Sequence, residues 1–484
     1  VDQLDWAQWD DRVGDAAWVV HAGRLRARIA AFSVFTGDPG GVLYPVKANP
    51  SAAILGLLAD EGAGADCATR YEIRLARWAG IPEDRIVYNS PVPDLDVARS
   101  LLAQGGHVVL DDPRDLRSLD EDHRRDPDRF VGRVFVRLNP DLPLRYAHDA
   151  SYQSLTAHAA RTGRFGLPSE ELLSLTSDMS LPIHGLHVHV GTQMDHLQAF
   201  VATLEHLHDV ADRLRGEGHP VRHIDLGGGL GIPFSDDAEF PSVEAFAHTL
   251  RGLRRPEYSY AVEPGHALVG DAVVLFTRLL RVKTARGKRW GIASVGTDRL
   301  AKVTLLDWRH RVVGPDGPLP DAGDDALAGP LCFAGDVILP HTDLSGLREG
   351  ALLAVRDAGA YCAALNNHFN GRHDPPTWWI DPAGNACCVQ RSEPWFLDPV
   401  VAQNTFHHRP AGPSKSHDVA AFQRLSSQYL REQQAADTYM LRAVEQCGAR
   451  RFLFTFDLTS QVDFVSGPFA VRVVGDAIIQ AVLA

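Results

Sequence analysis

A single lysine, Lys47, ends the apolar run Val42-Leu43-Tyr44-Pro45-Val46. Ala48, Asn49 and Pro50 follow, and a proline does not extend a strand. A lysine leaving a buried strand has its stem in low dielectric and its amine in a mouth. Burial lowers the amine pKa, which suits Schiff-base chemistry. Taken alone, such a lysine is more often a surface residue that opens a loop. Later stretches add matching chemistry. Ile224-Asp225-Leu226-Gly227-Gly228-Gly229 ends another apolar run. Its glycines let backbone N–H groups approach a phosphate, or simply make a tight turn. Ala261-Val262-Glu263-Pro264-Gly265-His266 brings a carboxylate to the same kind of run end. Facing a pyridine nitrogen, Glu263 would keep it protonated; otherwise it caps a helix. His187 and His189 alternate with apolar residues and share one face of a strand. No third-ligand motif accompanies them, so stacking on an aromatic ring suits them better than zinc, and no metal site is expected. Cys332 lies in Gly329-Pro330-Leu331-Cys332-Phe333, a turn that exposes it, although a lone cysteine is commonly core filler.

The elements that must position these residues alternate. The apolar runs are Val42–Val46, Ala63–Ala68, Arg85–Tyr88, His107–Leu110, Arg133–Leu138, Ile183–Val190, His223–Leu226 and Ser259–Val262. Helical patterns separate them, such as Tyr71–Trp78, Asp96–Leu102, Ala199–Leu214 and Val243–Leu253. This repetition predicts an α/β fold, a (β/α)8 TIM-like barrel, with a doubly wound sheet as the competitor. Before it, Ala17–His21 reads as a strand and Arg24–Phe32 as a helix. After Gly270 the texture turns β-rich. Val273–Val282, Trp290–Val295, Val303–Leu306, Leu352–Arg356 and Thr377–Ile380 read as strands, and Pro315–Pro330 as a mobile loop or linker. The tail reads as a polar connector (Asn404–Ser416), a helix (Val419–Gln446), strands at Arg451–Asp457 and Phe469–Val474, and a closing helix (Asp476–Leu483). The expected organisation is an N-terminal segment joining the β domain (1–32), the barrel (33–270), a β-rich domain (271–403) and an α+β extension (404–484).

Bulk properties bound the function. Over 484 residues, 45% are hydrophobic and 23% charged, as in a soluble globular protein. A net charge of -13 argues against nucleic acid or an anionic membrane as partner. The six cysteines are sparse and lack zinc spacing, which fits a reducing cytoplasm. The sequence shows neither a membrane-spanning apolar stretch nor a secretory signal. It opens on Val1 and not on Met, and a missing natural N-terminus is an expectation from that.

Together, Tyr44–Asn49, Asp66-Cys67-Ala68-Thr69 with Glu72, Arg137-Leu138-Asn139-Pro140, His189–Thr192, Gly227–Gly229, Glu263–Gly265, Gly329–Cys332 and Gly359–Tyr361 resemble the fold-type III pyridoxal-phosphate decarboxylases. These are the ornithine, diaminopimelate and carboxynorspermidine decarboxylases, and the resemblance runs from Trp18 to Trp395. It implies an alanine racemase-like barrel with a β domain, pyridoxal 5'-phosphate as cofactor, and a cytoplasmic homodimer acting on an amino acid. On matching residues it implies that Lys47 forms the internal aldimine and that His189 stacks on the pyridine. Glu263 would hold the ring nitrogen, while Asp66 and Arg137 support lysine and ring. Gly228, Gly229, Gly265 and Thr192 would bind the phosphate, with Tyr361 reaching it from the partner subunit. Cys332, also from the partner, would protonate the carbanion after a quinonoid has formed.

The sequence departs from this family in three places. The arginine that follows Glu-Pro-Gly is His266 here. The arginine-proline and tyrosine that hold the substrate carboxylate in diaminopimelate decarboxylases do not appear around Thr297–Asp307. Leu305–His310 is closer to the ornithine branch. The acidic residue after the cysteine, which faces the substrate's distal amine, is Phe333. The expected substrate therefore has an uncharged or differently anchored distal end, facing Phe333, with Asp336 or the Asp321–Asp325 loop supplying any carboxylate. A racemase or epimerase on the same scaffold and a non-catalytic, partner-binding homologue are the alternatives. Glu263, where racemases have arginine, favours decarboxylation.

Overall fold

The computed structural model describes residues 6–142, 163–234, 239–390 and 392, and the backbone of four strands beyond them. It divides into a unit spanning Val1–Glu393 and another spanning Pro394–Ala484.

In the first unit, eight short parallel strands follow one another around a barrel. They are Leu43–Pro45, Gly64–Cys67, Ile86–Asn89, His107–Leu110, Arg133–Asn139, Gly185–His187, His223–Asp225 and Ser259–Ala261. The ring closes where Leu43 N donates to Val262 O and Val262 N to Gly41 O, both at 2.9 Å. This closure excludes the doubly wound sheet. Six of the eight strands lie within a run of the sequence, and Ile86–Asn89 and Arg133–Asn139 extend one residue past theirs, because a strand buried on both faces is largely apolar. Helices lie between the strands, among them Arg70–Trp78, Leu95–Ala103, Gln198–Gly216 and Val243–Arg251. Phe246 on the last of these holds three rings, Phe32, Phe35 and Phe200, at 5.7, 6.3 and 5.0 Å. That aromatic cluster packs the helix Ala22–Thr36 against the helical ring.

A second, mixed sheet accompanies the barrel. Its central strand, Ala16–His21, runs antiparallel to Val273–Ala285 and parallel to Thr377–Ile380. The chain therefore begins in this sheet, builds the barrel and returns. Two expectations fail here. Val303–Leu306 belongs to a helix, Ala301–Leu306, in which Lys302 is buried. The Pro315–Pro330 stretch is no simple loop. Its Gly, Pro and Asp content hides the strand Asp325–Ala328, buried between Lys288–Ala293 and Val337–Thr342.

In the second unit the described backbone forms two antiparallel hairpins. Leu441–Glu445 pairs with Phe452–Phe456, and Phe469–Val474 with Ala477–Val482. The closing segment is thus a strand and not a helix. Its Ile478-Ile479 pair favours extended backbone. Leu441–Glu445 likewise takes the end of the expected helix Val419–Gln446. The rest of that helix, and Asn404–Ser416, lie outside the described residues.

Candidate active site

Strand register sets the site. Pro45 is level with Asp66, and Arg137, His187 and Asp225 are level on neighbouring strands. Their C-terminal ends open on a cavity of about 400 Å³ lined by Lys47, Arg137, His189, Thr192, Glu263, His266 and Tyr361, among others. Lys47 sits on a 3-10 turn, Val46–Ala48, at the first strand's exit. Its ammonium is ion-paired with Asp66, which is fully buried. Burial opposes the charge of Lys47, but Asp66 and Glu263 outweigh it and hold the amine above its ordinary pKa. The lowered value expected from burial alone is therefore not found: a paired carboxylate reverses the sign. Just past Asp66 a capping arrangement starts the helix Arg70–Trp78. Thr69 accepts from Glu72 N at 3.2 Å, and Glu72 accepts from Ala68 N at 2.5 Å.

Glu263 lies deep, with its Oε2 3.3 Å from His187 Nε2 and its Oε1 3.5 Å from Asn89 Nδ2. Burial disfavours its charge, yet His187, Lys47 and Arg137 hold it well below the usual carboxylate range. Asp225, beside it, shows the reverse. Burial and the Glu263 charge push Asp225 far up, so it is a neutral acid hydrogen-bonded to an anionic Glu263. Their ligand atoms and His187 lie within 4.8 Å of one another. The histidine pair thus divides its work: His187 contacts Glu263, while His189 lines the cavity and accepts from Gly228 N at 3.1 Å. That bond places the imidazole hydrogen on Nε2.

Asp225 gives a pH-dependent prediction. A carboxyl with a raised folded-state pKa favours folding below its unfolded value, about 4. That contribution is lost as pH rises toward the folded value. Asp225→Asn does not titrate and keeps a donor toward Glu263. Its melting temperature, relative to wild type, should therefore rise between pH 5 and pH 8. A constant difference across thermal melts at several pH values would contradict a neutral Asp225.

Backbone shape completes the cavity. A Cβ at Gly228 would lie 2.3 Å from the Glu263 carbonyl oxygen, and one at Gly265 2.6 Å from the Tyr361 hydroxyl. Gly229 has φ +124. Only glycine keeps this wall of the cavity bare, and the Gly228 N–H is already taken by His189. Thr192 Oγ1 lies 3.4 Å from His266 Nδ1, and Arg137 lies 4.5 Å from the centroid of Phe165.

Three expected assignments change or separate. Tyr361 belongs to its own chain's cavity, and its N donates to Ala48 O at 2.7 Å. It does not need to come from a partner, because Gly359 and the Lys47 turn are joined through Asn49, at 3.0 Å. Asp336 is no substrate group. Its carboxylate accepts from Thr297 N, Thr297 Oγ1 and Leu331 N at 2.7, 3.1 and 2.8 Å, and so holds the cysteine loop. Within that loop Cys332 and Phe333 are exposed and are not among the cavity-lining residues. Asp325 likewise is occupied, accepting from Leu344 N at 2.9 Å. Sequence reasoning missed Asn89, Asp225, Lys302 and Trp308. For Lys302 one signal existed, a lone cation in Leu300-Ala301-Lys302-Val303.

This geometry agrees with the comparisons. Residues 23–270 match the family described as pyridoxal-dependent decarboxylase, pyridoxal binding domain. The chain is 33% identical over 341 residues to diaminopimelate decarboxylase of Zymomonas mobilis, covering 68% of this chain and 78% of that one. The chain belongs to the fold-type III pyridoxal-phosphate-dependent decarboxylases. Diaminopimelate decarboxylase of Pseudomonas aeruginosa is 30% identical over 372 residues, 75% of this chain and 86% of its own. In fold, this decarboxylase is similar to diaminopimelate decarboxylase from Helicobacter pylori complexed with L-lysine, with TM-score 0.70, 21% identity, and coverage of 80% and 97%. The lysine/ornithine decarboxylase from Vibrio vulnificus follows at TM-score 0.63, 21% identity, and coverage of 78% and 97%.

The chain is accordingly a pyridoxal-phosphate-dependent amino-acid decarboxylase. Its residues fit that cofactor: an amine open to the cavity at Lys47, a buried carboxylate at Glu263 and a wall that Gly228, Gly229 and Gly265 keep clear of side chains. Among the described residues, no helix is long and apolar enough to cross a membrane.

Proposed function

We propose that this decarboxylase acts as a homodimer with shared sites, on an α-amino acid whose distal end is not held as an ammonium. The observation that carries the reading is the division of the machinery. Lys47, His189, Glu263 and Tyr361 line one cavity, while Cys332 is exposed outside it. When bound, pyridoxal phosphate supplies the electron sink that makes loss of carbon dioxide feasible.

The protein's residues do the rest. Lys47 Nζ is the amine that would carry the cofactor and yield it to the substrate's amine. His189 would cover one ring face. Glu263, anionic throughout the physiological range, would keep a proton on the ring nitrogen. Cys332 Sγ of a second copy would deliver a proton to the α-carbon after the carboxylate has left. The balance is one amino acid and one proton to one amine and one carbon dioxide.

Phe333 carries the substrate reading. A distal ammonium facing it in a desolvated pocket loses its partner, at a cost of roughly 3–5 kcal/mol. That is a factor of about a hundred to several thousand in binding. We therefore expect the wild type to disfavour lysine, ornithine and diaminopimelate against amino acids with neutral or acidic side chains. Phe333→Glu should raise kcat/KM for the basic group relative to the others. A carbon dioxide release assay over a panel of amino acids measures both. A wild-type preference for the basic substrates, unimproved by Phe333→Glu, would defeat this reading.

A further inference from the structure

Glu263 is buried, and it lines the cavity from the end of the eighth barrel strand. Strand register decides what stands behind it. Asp225 is level with Ala261 on one neighbouring strand and with His187 on the other. Glu263 lies two residues past Ala261, so in extended backbone it projects from the same face. The backbone pairing carries on to it, because Glu263 N donates to Gly227 O at 2.8 Å.

Side-chain donors therefore gather on one carboxylate. Burial lowers the pKa of His187, so its ring is neutral, and its hydrogen sits on Nε2, 3.3 Å from Glu263 Oε2. The opposite nitrogen, Nδ1, is buried with no hydrogen-bond partner, so the ring's polar contacts lie on the Glu263 side. Asp225 Oδ1 accepts from Gly227 N at 2.9 Å, which leaves the acid hydrogen on Oδ2, toward Glu263. Asn89 Nδ2 approaches the other Glu263 oxygen at 3.5 Å.

These donors are not needed for charge alone, because Lys47 and Arg137 also favour the anion. The two cations compete for its direction, however. Lys47 follows the first barrel strand and Arg137 lies on the fifth, so they draw a loose carboxylate different ways.

We infer that Asp225 and His187 are positioning residues, whose hydrogen bonds keep the Glu263 carboxylate turned to the cofactor's ring nitrogen and not to either cation. The inference rests on the proposed role of Glu263 and deepens it. A neutral Asp225 is essential to it: an acid there donates to Glu263, whereas a carboxylate would repel it.

Pyridoxal phosphate and its 1-deaza analogue, which has carbon in place of the ring nitrogen, separate this role from plain packing. Both would be titrated against apoprotein by absorbance. Asp225→Val removes the donor and keeps much of the volume. Its affinity for pyridoxal phosphate should fall about ten- to hundredfold, the size of a lost hydrogen bond to a charged group, while the 1-deaza analogue binds as to wild type. Asp225→Asn keeps a donor and should keep the wild-type discrimination between the two. His187→Phe fills the ring's space without its donor, should lose discrimination in the same way, and carries the test where Asp225→Val does not fold. An equal loss of both ligands, or no loss of either, overturns the inference. Glu263→Leu tests the wider reading: discrimination surviving in that variant would mean that Glu263 does not meet the ring nitrogen at all.

Discussion

Lys47→Ala is expected to abolish covalent attachment of pyridoxal phosphate and to lower turnover by on the order of 10⁵-fold. The size follows from losing a tethered amine, whose effective concentration in an aligned site reaches roughly 10⁵–10⁸ M. Borohydride treatment followed by peptide mass mapping should label wild type at Lys47 and leave the variant unlabelled. The fold should survive. Asp66 loses its only described ion-pair partner, but burial and Glu263 already push its carboxyl up, so it takes a proton in place of the missing cation. Added methylamine should restore part of the turnover, because the vacated space still faces Asp66. Full activity without any added amine would remove Lys47 from the mechanism.

The barrel was legible in the sequence because parallel strands buried on both faces leave uninterrupted apolar runs. Seven of the eight runs carry a residue of the site near their end or just past it, and His107–Leu110 carries none. The second sheet was less legible for the same physical reason turned around. Val337–Thr342 contains Pro340 and His341, and Asp325–Ala328 sits behind a stretch of Gly, Pro and Asp, so local composition outvoted long-range pairing. Lys302 shows the other limit. A lysine between Ala301 and Val303 gives no periodic signal, and its place in the cavity depends on a helix that packs only after the barrel exists. The pKa direction at Lys47 was misjudged because burial was weighed without the charges of Asp66 and Glu263, although the resemblance had set Asp66 beside the lysine. Asp66 comes from the next strand, and only register brings the two together. Tyr361 was placed on the wrong subunit for a similar reason. Nothing local shows that residues 357–361 return to the Lys47 turn, although Asn49 and Ala48 hold them there by hydrogen bonds.

The exposure of Cys332 leads to the second large effect. Its loop is held rigidly, by Asp336 from within and by Asn370 Oδ1, which accepts from Cys332 N at 2.9 Å. A rigid loop that presents a thiol outward, beside exposed Phe333 and Phe369, is arranged to act elsewhere than on its own cavity. If it acts in a second copy's cavity, Cys332→Ala should lower amine formation by about 10²–10⁴-fold, the range of a lost general acid, with cofactor uptake unchanged. Oxidative by-products should rise as protonation slows. Mixing Lys47→Ala with Cys332→Ala protein then gives an asymmetric dimer. One of its sites lacks both groups, and the other has Lys47 from one chain and Cys332 from its partner. Random exchange makes half of the dimers hybrid, each with one intact site, so about a quarter of wild-type activity should return. Neither parent alone can reach that value. Activity staying at the parental level after exchange has been verified by native mass spectrometry would place Cys332 outside the partner's site. It would also remove the main support for a shared-site homodimer.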